Sequence, residues 1–146
     1  KLIDSKSIKI LKNELIKKVS LITPNIPEAE ILSGIQIKNT DDMILAAKSL
    51  INMGAKNVLL KGGHLDSSKI VDILVEKGEL KKFISKKIQT QNTHGTGCTL
   101  ASAIASNIFN GKNLFDSVKL ARRYVINGIK SSIIIGGGHN PLNHLL

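Results

Sequence analysis

Apolar residues return every three or four positions through Ile8, Leu11, Leu15, Ile16 and Val19, and that spacing predicts a helix with one buried face, capped by Asp4 or Ser5. The triplet LIT predicts a short strand that Pro24 stops. Pro27 then opens a brief helix through PEAEIL, because the first helical turn does not need the N–H that proline lacks, and Gly34 ends it. TDDMILAAKSLINM predicts a longer helix, capped by Thr40 or Asp41, with acidic Asp41 and Asp42 at its positive end and Gly54 closing it. NVLLKGG reads as a buried strand running into a glycine turn, and IVDILVE and ELKKFI as a hairpin across Lys77-Gly78. Two helices follow, over 98–110 and about 116–132, and GGGHNPLNHLL predicts a terminal loop.

Strands interleaved with helices imply an α/β domain whose mainly parallel sheet is flanked by helices, and the chain of 146 residues is long enough for one domain over 1–146 with a real core. Hydrophobic residues make up 42% of it but aromatics only 3%, so the core must be aliphatic, as suits buried parallel strands. The chain opens directly into a helix and is short of strands, which reads as part of a larger sheet.

No apolar run approaches the roughly 20 residues that cross a bilayer, and KLIDSKSIKI lacks the apolar core of a signal peptide, so the expectation is a soluble protein without membrane association. A single cysteine excludes an internal disulfide and fits the cytoplasm. The net charge of +10 could attract nucleic acid or anionic lipid. Its lysines are spread over amphipathic stretches such as KILKNELIKKV, however, with hardly an aromatic for base stacking, so no nucleic-acid partner is expected. Solvated helix faces and attraction for an anionic substrate account for the charge better.

Three stretches could carry chemistry. In NTHGTGC, Gly95 and Gly97 flank Thr96 in a turn free of bulky side chains, where successive N–H groups and the start of a helix converge on one point. Such a point accepts an oxyanion or phosphate, and a helix start also favours thiolate over thiol, so Cys98 could accept or polarise a hydroxyl proton. The plain alternative is an ordinary glycine turn followed by a small buried hydrophobe. In TPNIPEAEIL, Glu28 could hold Mg²⁺ directly or through water while Asn25 orients the shell, or it could merely be a favourable charge in a first helical turn. In LLKGGHL, Lys61 stands at a strand end, where α/β sheets bind ligands; it could meet phosphate oxygens while Gly62 and Gly63 let a nucleotide approach, or the stretch could be an ordinary strand exit. The histidines His64, His94, His139 and His144 lack the paired spacing of a zinc site and read as loop or tail residues, with a place beside the phosphates open to His94.

Taken in order, TPNIPEAEIL, VLLKGGHL, NTHGTGCTLASAIA and GHNPLNH resemble the second half of the hydroxymethylpyrimidine/phosphomethylpyrimidine kinases of thiamine biosynthesis, in the ribokinase-like superfamily. The resemblance implies a ribokinase-like fold lacking its amino-terminal half, with 1–146 as the carboxy-terminal, ATP-binding part. It implies ATP and Mg²⁺ as cofactors and a pyrimidine alcohol as substrate, phosphorylated first at its hydroxymethyl group and then as the monophosphate. Gly95, Thr96 and Gly97 look like the anion hole, and Cys98 like the residue beside the substrate hydroxymethyl. Asn25 and Glu28 look like the Mg²⁺-phosphate motif, and Lys61, Gly62, Gly63, His64 and Leu65 like part of the ATP site. Ribokinase-like relatives are often dimers, so a homodimer is expected. The sequence departs from the family at Asn140, where a glycine is expected, and at Arg122, where lysine is frequent. Pyridoxal-type and hydroxyethylthiazole kinases share related turns and stay open as alternatives, as does a non-catalytic basic module that binds nucleotide or nucleic acid.

Overall fold

The computed structural model describes residues 4–65, 67–90, 94–132 and 141–145. Asn92 and Thr93 of NTHGTGC, and the glycine tract with His139 and Asn140, lie outside the described residues. The chain forms two compact units, 1–87 and 88–146.

In the first unit, α1 (Ser5–Ile10) starts at Asp4, whose carboxylate accepts the Ser7 N–H at 2.7 Å. It runs through a π-helical turn (Leu11–Leu15) into α2 (Ile16–Lys18). The wider turn keeps Leu11 and Ile16, five positions apart, on the side that meets the core, where Ile16 is fully buried. Helix α3 (Ile26–Ser33) ends at Gly34, and α4 (Thr40–Asn52) ends just before Gly54, as the sequence predicts. The cap of α4 is Asn39 rather than Thr40 or Asp41: its side-chain oxygen accepts from both Asp41 and Asp42 amides, a geometry that leaves Thr40 as the first helical residue.

Strands β1 (Asn57–Leu60), β2 (Lys69–Glu76) and β3 (Glu79–Lys86) lie side by side in that order. Lys77 and Gly78 both take positive φ, 50° and 82°, the twist that a two-residue hairpin loop requires. Two sequence expectations change here. The three strands are antiparallel throughout, since the 61–68 connection doubles back instead of crossing over through a helix. In this unit the LIT segment meets β1 in parallel, as isolated bridges Ile22↔Val58 and Asn25↔Lys61; Pro24, without an N–H, cannot extend that segment into a full strand. Helix α4 packs on β1 and β2, where Met43, Ala46, Ala47 and Leu50 meet Val58, Leu60 and Ile73. Each fully buried Leu, Ile, Val or Met here contributes about 1.5–3 kcal/mol.

In the second unit, α5 (Thr96–Phe109) packs on α6 (Leu114–Lys130) through Leu100, Ile104, Val118 and Ala121, all buried. Asn113 caps α6 by accepting the Asp116 N–H at 2.8 Å. Helix α5 begins two residues earlier than expected, at Thr96 instead of Cys98, because Gly95 serves as its cap with φ of 82°.

Candidate functional site

Residues 21–25 run alongside β1, with Ile22 N–H donating to Asn57 O (3.1 Å), Leu59 N–H to Ile22 O (2.8 Å) and Lys61 N–H to Pro24 O (2.9 Å). Both segments therefore end together, and Asn25 and Lys61 lie opposite each other. Two chemical groups separated by 35 residues of sequence are thereby brought to one sheet end, where α/β sheets place ligands.

Asn25 and Glu28 form a reciprocal capping box. The Asn25 side-chain oxygen accepts the Glu28 N–H at 2.9 Å, and Glu28 Oε2 accepts the Asn25 N–H at 2.8 Å. This accounts locally for the N-x-x-E spacing and fixes both side chains at the start of α3. Glu28 is exposed, and its Oε1 carries no hydrogen bond among the described residues. No cluster of three or more His, Cys, Asp or Glu is found among the described residues, so a cation held by side chains alone has no cage here. One free carboxylate oxygen does suit Mg²⁺, which keeps most of its waters and takes further ligands from substrate phosphates. Apart from Thr23, Asn25 and Glu28, the lining of the adjacent groove of about 660 Å³ is apolar.

Lys61 is half-buried, and its ammonium has no ion-pair partner among the described residues. The following turn is pinned from below. Gly62 N–H donates to Asp72 Oδ1 at 2.8 Å inside the unit, and a Cβ at Gly62 would overlap the Val71 carbonyl oxygen. The missing side chain of Gly62 is thus explained by internal packing, whereas Gly63 faces open space. His64 is exposed, and Leu65 closes the turn with N–H to Gly62 O at 3.2 Å while its own carbonyl accepts Lys87 Nζ at 3.1 Å. Sequence reading missed Asp72; the available signal is a lone acid in the otherwise apolar run IVDILV.

The glycine turn belongs to the second unit. Gly95 has no atom within 4 Å of where its Cβ would stand, so glycine is required there for backbone conformation and not for space. Thr99 N–H makes the first turn's bond, to Gly95 O at 2.9 Å. Thr96, Gly97 and Cys98 occupy the first three helical positions of α5. Cys98 is exposed, not packed among aliphatic side chains. Gly95 and Cys98 are exposed at this helix start, and Thr96 and Gly97 between them are half-buried.

A family model described as phosphomethylpyrimidine kinase matches residues 1–143. The chain is 40% identical over 142 residues to the hydroxymethylpyrimidine/phosphomethylpyrimidine kinase of Aquifex aeolicus, covering 97% of this chain and 56% of that protein. It is 46% identical over 145 residues to the thiamine biosynthesis bifunctional protein ThiED of Geobacter sulfurreducens, covering 99% of this chain and 30% of that one. Among solved structures, the pyridoxal kinase from Staphylococcus aureus in complex with AMP-PCP and pyridoxal superposes with a TM-score of 0.93 at 29% identity, over 99% of this chain and 54% of that chain. The chain thus spans about half the length of the single-function kinases it matches, and its fold is that of a part of a ribokinase-like α/β kinase. With a match that runs from residue 1 to 143, the chain belongs to the phosphomethylpyrimidine kinase family.

Proposed function

We propose that this chain is the ATP-side part, a single functional domain over 1–146, of a kinase that phosphorylates 4-amino-5-hydroxymethyl-2-methylpyrimidine and then its monophosphate. The observation that carries the reading is the Gly95-Thr96-Gly97-Cys98 turn at the start of α5, with Gly95 and Cys98 exposed, in a chain 40% identical to a hydroxymethylpyrimidine/phosphomethylpyrimidine kinase. Phosphoryl transfer needs alignment and charge neutralisation more than covalent participation by the protein.

In this reading the substrate hydroxyl oxygen bonds to the γ-phosphorus of ATP as the bond from that phosphorus to the bridging oxygen breaks, leaving ADP. The anion hole of Gly95, Thr96 and Gly97, leading into Cys98, stabilises charge on the equatorial oxygens, and Cys98 receives or orients the hydroxyl proton. Lys61 holds phosphate oxygens, Gly63, His64 and Leu65 border the nucleotide, and Gly62 shapes the turn that presents them. Glu28, steadied by Asn25, would hold Mg²⁺ through Oε1 or an intervening water; when bound, that ion supplies neutralisation of phosphate charge. A cytoplasmic setting and a homodimer belong to the same proposal. Among the described residues, no helix is long and apolar enough to cross a membrane.

The test is Mg²⁺-dependent ATP binding by the chain, measured calorimetrically, together with turnover in the full gene product. Binding lost in Lys61→Ala and turnover preferring the pyrimidine alcohol support the reading; ATP binding indifferent to Lys61 rejects it. A second reading, pyridoxal phosphorylation, is favoured by the structural likeness to a pyridoxal kinase. The higher identity to the pyrimidine kinase favours the first, and competition between the two alcohols decides.

A further inference from the structure

The carboxy-terminal residues 141–145 are not a loose tail. Leu142 is buried, and Asn143 N–H donates to Gly128 O in α6 at 3.1 Å. Asn143 Nδ2 reaches Ser131 O at 3.3 Å, and its Oδ1 accepts the Leu145 N–H at 2.9 Å. Gly128 forms the notch that admits this strap: a Cβ there would stand 2.9 Å from Asn143 O and 3.6 Å from Leu142 Cβ. One helical turn earlier, Tyr124 stacks on His144 with centroids 6.1 Å apart, and its hydroxyl lies 3.2 Å from His144 Nδ1. The other end of the strap, Pro141, pairs in a parallel β-bridge with His94, the residue immediately before the Gly95 turn.

We propose that Gly128, Asn143 and Tyr124 are positioning residues: by seating the strap on α6 they hold His94, and through it set the entry to the Gly95–Thr96–Gly97–Cys98 turn. The turn is held on its far side by α5 packing against α6, so the same helix anchors both ends. Gly95, the cap of α5, makes no side-chain hydrogen bond. The strap supplies restraint from outside. The meaning of the turn as an anion hole rests on the kinase reading; the mechanical link does not.

Hydrogen exchange at individual amides of the chain tests the link. In Gly128→Ala, exchange at Thr99 and Leu100 accelerates about fivefold or more, while Ile104 in the middle of α5 keeps its rate, because only the entry turn is released. Tyr124→Phe, which adds no volume and removes the hydroxyl contacts, shifts the same two amides in the same direction by about twofold, and it carries the test if Gly128→Ala does not fold. Unchanged exchange at Thr99, or equal acceleration along all of α5, overturns the proposal. Mg²⁺-ATP binding is measured on the same samples. An exchange response without nucleotide binding keeps the strap and removes the kinase reading, and binding without the response does the reverse.

Discussion

Asp72, buried in the middle of β2, accepts the Gly62 N–H at 2.8 Å and so ties the centre of the sheet to the turn after Lys61. Removing the acceptor leaves a buried amide without a partner. Asp72→Ala is therefore expected to lower stability by about 2 kcal/mol in urea unfolding, and Asp72→Asn, which keeps a side-chain oxygen, by clearly less. The adjoining glycines provide a contrast. Gly62→Ala drives a methyl into the Val71 carbonyl and costs about 1–3 kcal/mol, as overpacking does. Gly63→Ala meets nothing within 4 Å and is expected to stay within about 0.5 kcal/mol of the parent.

The capping box separates two roles of Glu28. Glutamine can replace glutamate at that position of a capping box, so Glu28→Gln leaves the unfolding midpoint nearly unchanged. It removes the negative charge, and the Mg²⁺-dependent part of ATP affinity falls about tenfold or more if that oxygen serves the ion. Asn25→Ala does the converse first: it deprives α3 of its cap at about 1 kcal/mol, read by thermal unfolding. Equal losses of ATP affinity in Glu28→Gln and the parent's metal-free form would mark the charge as the operative feature.

Cys98 and Gly95 differ in kind. Cys98→Ala, at an exposed position, leaves stability unaltered and lowers turnover of the full gene product about a hundredfold, with ATP affinity retained, if the thiol handles the hydroxyl proton. Equal effects on turnover and ATP affinity would remove it from catalysis. Gly95→Ala must hold a β-carbon at φ of 82° and loses about 1–2 kcal/mol although there is room for it.

The Asp4 cap makes the first helix acid-sensitive. Backbone and side-chain hydrogen bonds from Ser7 hold the Asp4 carboxyl below its ordinary value. Because the folded group binds its proton less readily than the unfolded one, its contribution is present at neutral pH and is lost as pH falls through the lowered value. Amide exchange at Ser7 and Ile8 is expected to accelerate across that acidic window and to be pH-insensitive there, beyond the intrinsic chemistry, in Asp4→Asn.

What the residues alone determined is local. Helix faces at three- and four-residue spacing, the Gly34 and Gly54 stops, the Lys77-Gly78 hairpin and the glycine turn before α5 follow from interactions within a few positions, so they are legible without coordinates. The motifs that resemble the family's are equally visible as strings. Strand direction was not: whether β1 pairs antiparallel with β2 depends on how the 61–68 connection folds back, and composition is the same either way. Nor could spacing decide that Asp72 underpins Gly62 or that Gly128 is a seat for Asn143. Those depend on hydrogen bonds and close contacts, most of them between residues ten or more apart, which exist only once packing has selected one arrangement of the chain.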